Sequence, residues 1–145
     1  MNSKSINEWA KEIHSLACEK GWWDNERSFG EIIALCHSEL SEALEEDRAG
    51  NPMEYFISHE LEPEMIVKGS DGNTYKLHPL KQLAKETDTT KWCGEKPEGV
   101  AVELIDCIIR ILDYLAYKGV DVEAVLARKH EYNKGREYRH GGKKY

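Results

Sequence analysis

Two short acidic motifs could do chemistry in this chain of 145 residues. Glu39-Leu40-Ser41-Glu42 and Glu103-Leu104-Ile105-Asp106 each space two carboxylates three residues apart, which on a helix is one turn and so one face. Four oxygen ligands with no His or Cys among them suit a hard divalent cation, Mg2+ or Mn2+. The bland alternative for Glu39, Glu42 and Glu46 is a solvated helix face with i, i+4 partners. That alternative is weaker for the second motif. Glu103, Asp106, Arg110 and Asp113 form one polar stripe at i, i+3, i+7 and i+10, on a segment that is otherwise apolar from Val100 to Ala116. A helix apolar nearly all round is enclosed by protein, and carboxylates in such a place need a positive partner, either Arg110 or a metal ion.

The elements that would carry these motifs are read from caps and periodicity. Ser5 followed by Glu8 is a capping box, and Ile6, Trp9, Ala10, Ile13, Leu16 and Ala17 then recur at helical spacing up to Gly21. Ser28 and Glu31 open a second helix that runs to about Arg48. Its expected buried face is Phe29, Ile32, Ile33, Cys36, Leu40, Ala43 and Leu44, with Glu39 roughly 60° from the centre of that face at about 100° per residue. The third helix is expected over about Glu98 to Lys118, closed by Gly119, and the fourth from near Asp121. All four prolines, Pro52, Pro63, Pro79 and Pro97, lie in the stretch between the second and third helices. There Met65–Lys68 and Thr74–His78 are expected to pair as a small hairpin, and Leu80–Glu86 to form a short helix. The expected fold is all-α and four-helix-bundle-like, a single domain over 1–145 with an irregular insertion at about 50–95.

Composition narrows the function classes. Hydrophobic residues are 40% and charged residues 32%, a globular mix. No apolar run approaches the ~18 residues of a membrane span, and no signal peptide is read at the N-terminus. A cytoplasmic location without membrane association is therefore expected. Cys18, Cys36, Cys93 and Cys107 form no C-x-x-C pair, and no Cys/His cluster has zinc spacing. The net charge of −7 argues against a nucleic-acid polymer as partner. Residues 128–145 hold seven Lys/Arg and two Glu, a +5 tail on a −12 body, so an acidic surface and a phosphate-loving segment share one chain.

E-x-x-E on one helix followed by E-x-x-D on a later apolar helix resembles the MazG-like, all-alpha nucleoside triphosphate pyrophosphohydrolases. Lys96-Pro-Glu-Gly-Val-Ala-Val-Glu103 resembles the lead into that family's second metal motif, and Lys129-His-Glu-Tyr-Asn133 the Lys and Asn of its last helix. Arg139-His-Gly-Gly-Lys143 is similar to the basic tail of some members. The resemblance covers about residues 5–49 and 95–145. The sixty residues between Glu42 and Glu103 exceed the usual family connection, and the insertion has no counterpart. The resemblance implies Mg2+-dependent cleavage of a nucleoside triphosphate, with a dNTP the first candidate and non-canonical nucleotides next, to the monophosphate and pyrophosphate. It implies Glu39, Glu42, Glu103 and Asp106 as metal ligands and catalytic groups, with Glu46 and Asp113 as structural reserves. His14 and Trp23 match nucleobase-side positions. Lys129, Asn133, Arg136 and Lys143 would hold phosphate or sugar, with 136–145 a basic tail that closes on the substrate. For Trp22 core packing is the preferred reading.

A homodimer or homotetramer is expected, because three other helices of modest length do not suffice to cover the third. A di-iron bundle would need E-x-x-H on two helices, and only Glu137–His140 has that form. The non-enzymatic rival is a helical interaction module whose acidic stripe binds a basic partner. It requires Glu103 and Asp106 to be exposed.

Overall fold

Ser5 opens the first helix as its spacing to Glu8 predicts. Its hydroxyl accepts from the Glu8 backbone N–H at 3.3 Å, and the Glu8 carboxylate accepts from the Ser5 N–H at 2.6 Å. Hydrogen bonds from Ser5 to that carboxylate, the backbone N–H foremost and the side chain next, hold the Glu8 carboxyl below its ordinary range. The computed structural model describes residues 4–57, 65–68, 74–77 and 96–138. It is mostly helical: α1 is Ile6–Glu19, α2 Phe29–Arg48, α3 Val100–Tyr117 and α4 Val122–Lys134. At the start of α2, Ser28 and Glu31 exchange the same pair of bonds at 2.7 and 3.2 Å. The Glu31 carboxyl is likewise lowered, most by the Ser28 side chain. Gly21 follows α1 at φ 78°, the left-handed conformation that ends a helix most cheaply at glycine.

The chain divides into two compact units, Met1–Ser38 with Asp106–Tyr145, and Glu39–Ile105. The division falls within α2 and within α3. In the first unit, Ala10 of α1, Leu112 of α3 and Val122 of α4 form the buried core, with Ile6, Ile13, Leu115 and Ala116 packed around them. Asn7 ties α1 to the start of α4. Its Oδ1 accepts from the backbone N–H groups of Val122 at 2.9 Å and Glu123 at 3.2 Å, so a residue of one helix caps another. Asp121 caps the same end locally, accepting from the Ala124 N–H at 3.0 Å. That bond is the first reason its carboxyl lies below the ordinary value.

The second unit holds the strands. β1 (Tyr55–Ile57) pairs antiparallel with β4 (Lys96–Glu98), with Tyr55 opposite Glu98 and Ile57 opposite Lys96. β2 (Met65–Lys68) pairs antiparallel with β3 (Thr74–Leu77), Met65 opposite Leu77 and Lys68 opposite Thr74. This second ladder is the hairpin expected from the sequence. The β1–β4 ladder joins residues some forty apart and has no short-range turn signal. The expected helix at Leu80–Glu86 lies outside the described residues.

Gly99 shows how β4 delivers the chain into α3. Its φ is 118°, and a Cβ there would lie 2.6 Å from the Pro52 carbonyl oxygen and 2.7 Å from that of Met53. Only glycine fits so close a backbone approach. The Ala101 N–H then donates to the Met53 carbonyl at 2.8 Å, fixing the first turn of α3 two residues before Glu103. Among the described residues, no helix is long and apolar enough to cross a membrane.

Candidate metal centre

The buried positions of α2 are Ile32, Cys36, Glu39 and Ala43, a stripe at i, i+4, i+7 and i+11. Glu39 therefore lies within the buried stripe, not beside it, and is only 5% exposed. Phe29, Ile33, Leu40 and Leu44, expected to be buried, are exposed. α3 departs from expectation in the same sense. Glu103 is 9% exposed, and Asp106, Arg110 and Asp113 are half-buried. Leu104, Ile105, Ile108, Ile109 and Ile111 are exposed in the single chain. The polar stripe is thus more enclosed than these five apolar residues, while Cys107 and Leu112 of the same helix are buried.

Glu39 and Glu103, both in the second unit, each offer a carboxylate oxygen within 4.8 Å of the other. Asp106 stands one turn beyond Glu103 on the same helix. Two buried carboxylates at this range could hold one divalent cation between them. An all-oxygen donor set with such spacing has the chemistry of a Mg2+ or Mn2+ site. Glu42, one turn along α2, is exposed. Glu46 is engaged structurally: Asn51 Nδ2 and Tyr55 Oη donate to its Oε2 at 2.8 and 3.0 Å, securing the chain that leaves α2.

The other residues named from the sequence fall in the first unit. His14 and Trp23 do come together, their rings 5.4 Å apart and edge to face. What joins them is Asp113, which accepts from Trp23 Nε1 at 2.9 and 3.0 Å and lies 2.7 Å from His14 Nδ1. Tyr117 stacks on Trp23 at 4.2 Å between centroids. Asp113 is thus the centre of an aromatic cluster, a role its place on the polar stripe does not announce. Trp22, read as core, is 48% exposed. It lines a cleft of about 360 Å³ in the first unit with Arg27, Leu35, Asp106, Arg110 and Asp113. The Arg27 and Arg110 guanidinium carbons stand 5.0 and 5.7 Å from its ring centroid, within cation–π range.

Lys129 and Asn133 of α4, and Arg136 just beyond its end, are all exposed. Lys129 and Arg136 both lie over the Tyr132 ring, at 5.1 and 5.9 Å, although α4 ends before Arg136. Lys143 and the tail from Arg139 onward lie outside the described residues. No family model, curated protein or solved structure matches this chain.

Proposed function

We propose that this protein is a Mg2+-dependent nucleoside triphosphate pyrophosphohydrolase with a MazG-like helical bundle, acting on nucleotide pools. The observation that carries the reading is the burial of Glu39 and Glu103 with their oxygens within 4.8 Å. The rival, an acidic stripe that docks a basic partner, needs Glu103 in open water, and its burial weighs against that. The ordered E-x-x-E and E-x-x-D motifs supply the reaction class, by resemblance.

In this reading Glu39, Glu103 and Asp106 hold the metal, and Glu42 is the fourth ligand. A bound divalent ion would turn an acidic site into one that accepts a triphosphate, polarise a phosphoryl oxygen and help ionise the attacking water. The carboxylates fix its position and orient the water as acceptors. Lys129 and Asn133 on one face of α4, with Arg136 just beyond it and Lys143 of the tail, bind phosphate or sugar. His14 and Trp23, their rings held by Asp113, form a firm wall for the base.

The exposed apolar residues of α3 support a homo-oligomer. Leu104, Ile105, Ile108, Ile109 and Ile111 on one helix make a surface that a second copy would cover. Light scattering at micromolar concentration should give at least twice the 16.7 kDa chain mass, and a monomeric mass would reject the oligomer.

The function itself is tested with a panel of canonical and modified NTPs and dNTPs in Mg2+, assayed for both products. Pyrophosphate and monophosphate in equal amounts, lost in Asp106→Asn and on chelation, are expected. Inorganic phosphate with a diphosphate product would sink the reaction class. Hydrolysis of no member of the panel would return the acidic-stripe reading.

A further inference from the structure

A second cluster on α1 has chemistry that the acidic motifs do not use. His14 and Cys18 are four residues apart, and Cys18 Sγ lies 3.7 Å from His14 Nε2. The other ring nitrogen, Nδ1, faces Asp113 Oδ1 at 2.7 Å. The Trp23 N–H donates to both oxygens of that carboxylate, so Asp113 is set as an acceptor and the imidazole directs its Nδ1–H toward it. Nε2 is then the acceptor that meets the Cys18 thiol. The ring cannot readily turn away. Trp23 packs edge to face at 5.4 Å and Tyr117 lies at 5.9 Å, with Lys118 beyond, over the Tyr117 ring at 4.7 Å.

Among the described residues, accessibility singles out the same thiol. Cys18 is exposed, whereas Cys36 and Cys107 are buried. Three side chains from two helices thus line up as nucleophile, base and orienting acceptor, the order that covalent catalysis requires. Neither the exposed thiol nor the histidine would suffice alone. What distinguishes this site is that α3 supplies the group fixing the tautomer of a base carried by α1.

The geometry points to Cys18 as an activated thiol that exchanges with small-molecule disulfides, with His14 as its base and Asp113 as the residue positioning that base. The Cys18 S–H proton passes to His14 Nε2, and the thiolate attacks one sulfur of the incoming disulfide. A new sulfur–sulfur bond forms as the old one breaks, and the departing thiolate takes the proton back from Nε2. The products are a mixed disulfide at Cys18 and one free thiol. The number of disulfide bonds is unchanged, so the incoming disulfide is the sole oxidant. This site stands whether or not the chain cleaves nucleotides.

The test treats the full chain with glutathione disulfide at neutral pH and follows each cysteine over time by peptide mass spectrometry, in native buffer and in urea. Cys18 is expected to gain the glutathionyl group at least ~10-fold faster in the native chain than in urea, as base assistance predicts. Cys36 and Cys107 should react more slowly when native, because burial shields them. His14→Gln keeps Cys18 exposed and should lower its native rate by about 10-fold. Asp113→Asn should lower it less, and Asp113→Glu should recover most of it, which a merely structural carboxylate would not require. A native Cys18 rate no higher than the rate in urea overturns the proposal on the wild-type chain alone, even if a variant fails to fold. An unchanged rate in folded His14→Gln overturns it equally.

Discussion

Asp113 in the first unit and the Glu39–Glu103 pair in the second are acids withdrawn from water in opposite company. Asp113, its side chain 17% exposed, is met by the Trp23 indole N–H and the His14 ring. Its charge is answered by donors, and the result is a rigid aromatic cluster. Glu39 and Glu103 are more deeply buried, and each has another carboxylate within 4.8 Å. The first arrangement holds a fold together, whereas the second sets carboxylate oxygens close enough to grip one cation. Burial alone does not identify a functional acid. The identity of its neighbours does.

The contrast breaks most sharply at Glu39. Glu39→Gln and Glu103→Gln are expected to reduce Mg2+-dependent pyrophosphate release by ~10²-fold or more, about 3 kcal/mol of barrier. The free energy of urea unfolding should change by less than ~1 kcal/mol, since each change keeps shape while removing one of two close charges. Turnover kept at limiting Mg2+, in protein free of wild-type enzyme, would show that these acids hold no catalytic metal.

Asp113→Ala should do the reverse to the fold. It strands the Trp23 and His14 donors in a half-buried place, at a cost of roughly 2–3 kcal/mol. Urea titration followed by tryptophan fluorescence would report it, because Trp23 loses its partner. A change below about 0.5 kcal/mol would mean the cluster is decoration.

A smaller effect separates helix ends from helix faces. Asn7→Ala removes the long-range cap on α4 while leaving Asp121 to cap it locally, so the expected loss is about 1 kcal/mol. Hydrogen exchange should quicken at Val122 and Glu123, the two amides Asn7 accepts from. Exchange unchanged at both would reject the cap.

The smallest expected effect is acid sensitivity from the caps. Glu8, Glu31 and Asp121 all have carboxyls held below their ordinary values by hydrogen bonds to the ionised form. Their contribution is fully present above the unfolded-state value and is lost as pH falls through the lower folded-state value. Stability should therefore decline through the acid side of the carboxylate range. Ser28→Ala, which removes the bond that lowers Glu31 most, should flatten that decline. An acid limb of equal slope in this variant would place the sensitivity elsewhere.

The helices and their ends were legible from the amino-acid sequence because their causes are local. Ser5 with Glu8, Ser28 with Glu31, and Asp121 before Val122 act within three residues, and the paired strands Met65–Lys68 and Thr74–Leu77 are near in sequence. The pairing of Tyr55–Ile57 with Lys96–Glu98 was not legible, because a ladder between distant segments leaves no mark within either. Nor was Asp113 as a hub, since the residues that meet it, His14 and Trp23, lie 99 and 90 positions away.

Which face of α2 and α3 turns inward was settled only by packing. Periodicity sorts residues into stripes but assigns a stripe to the interior by hydropathy alone. In the single chain that rule fails for Leu40, Leu44, Leu104 and Ile108, which are exposed, while Glu39 and Glu103 are buried. Residue order fixes the spacing of carboxylates along one helix, because covalent geometry and the 3.6-residue turn are local. The approach of Glu39 to within 4.8 Å of Glu103 depends on the register between two helices, and that is decided by the balance of packing contacts around them.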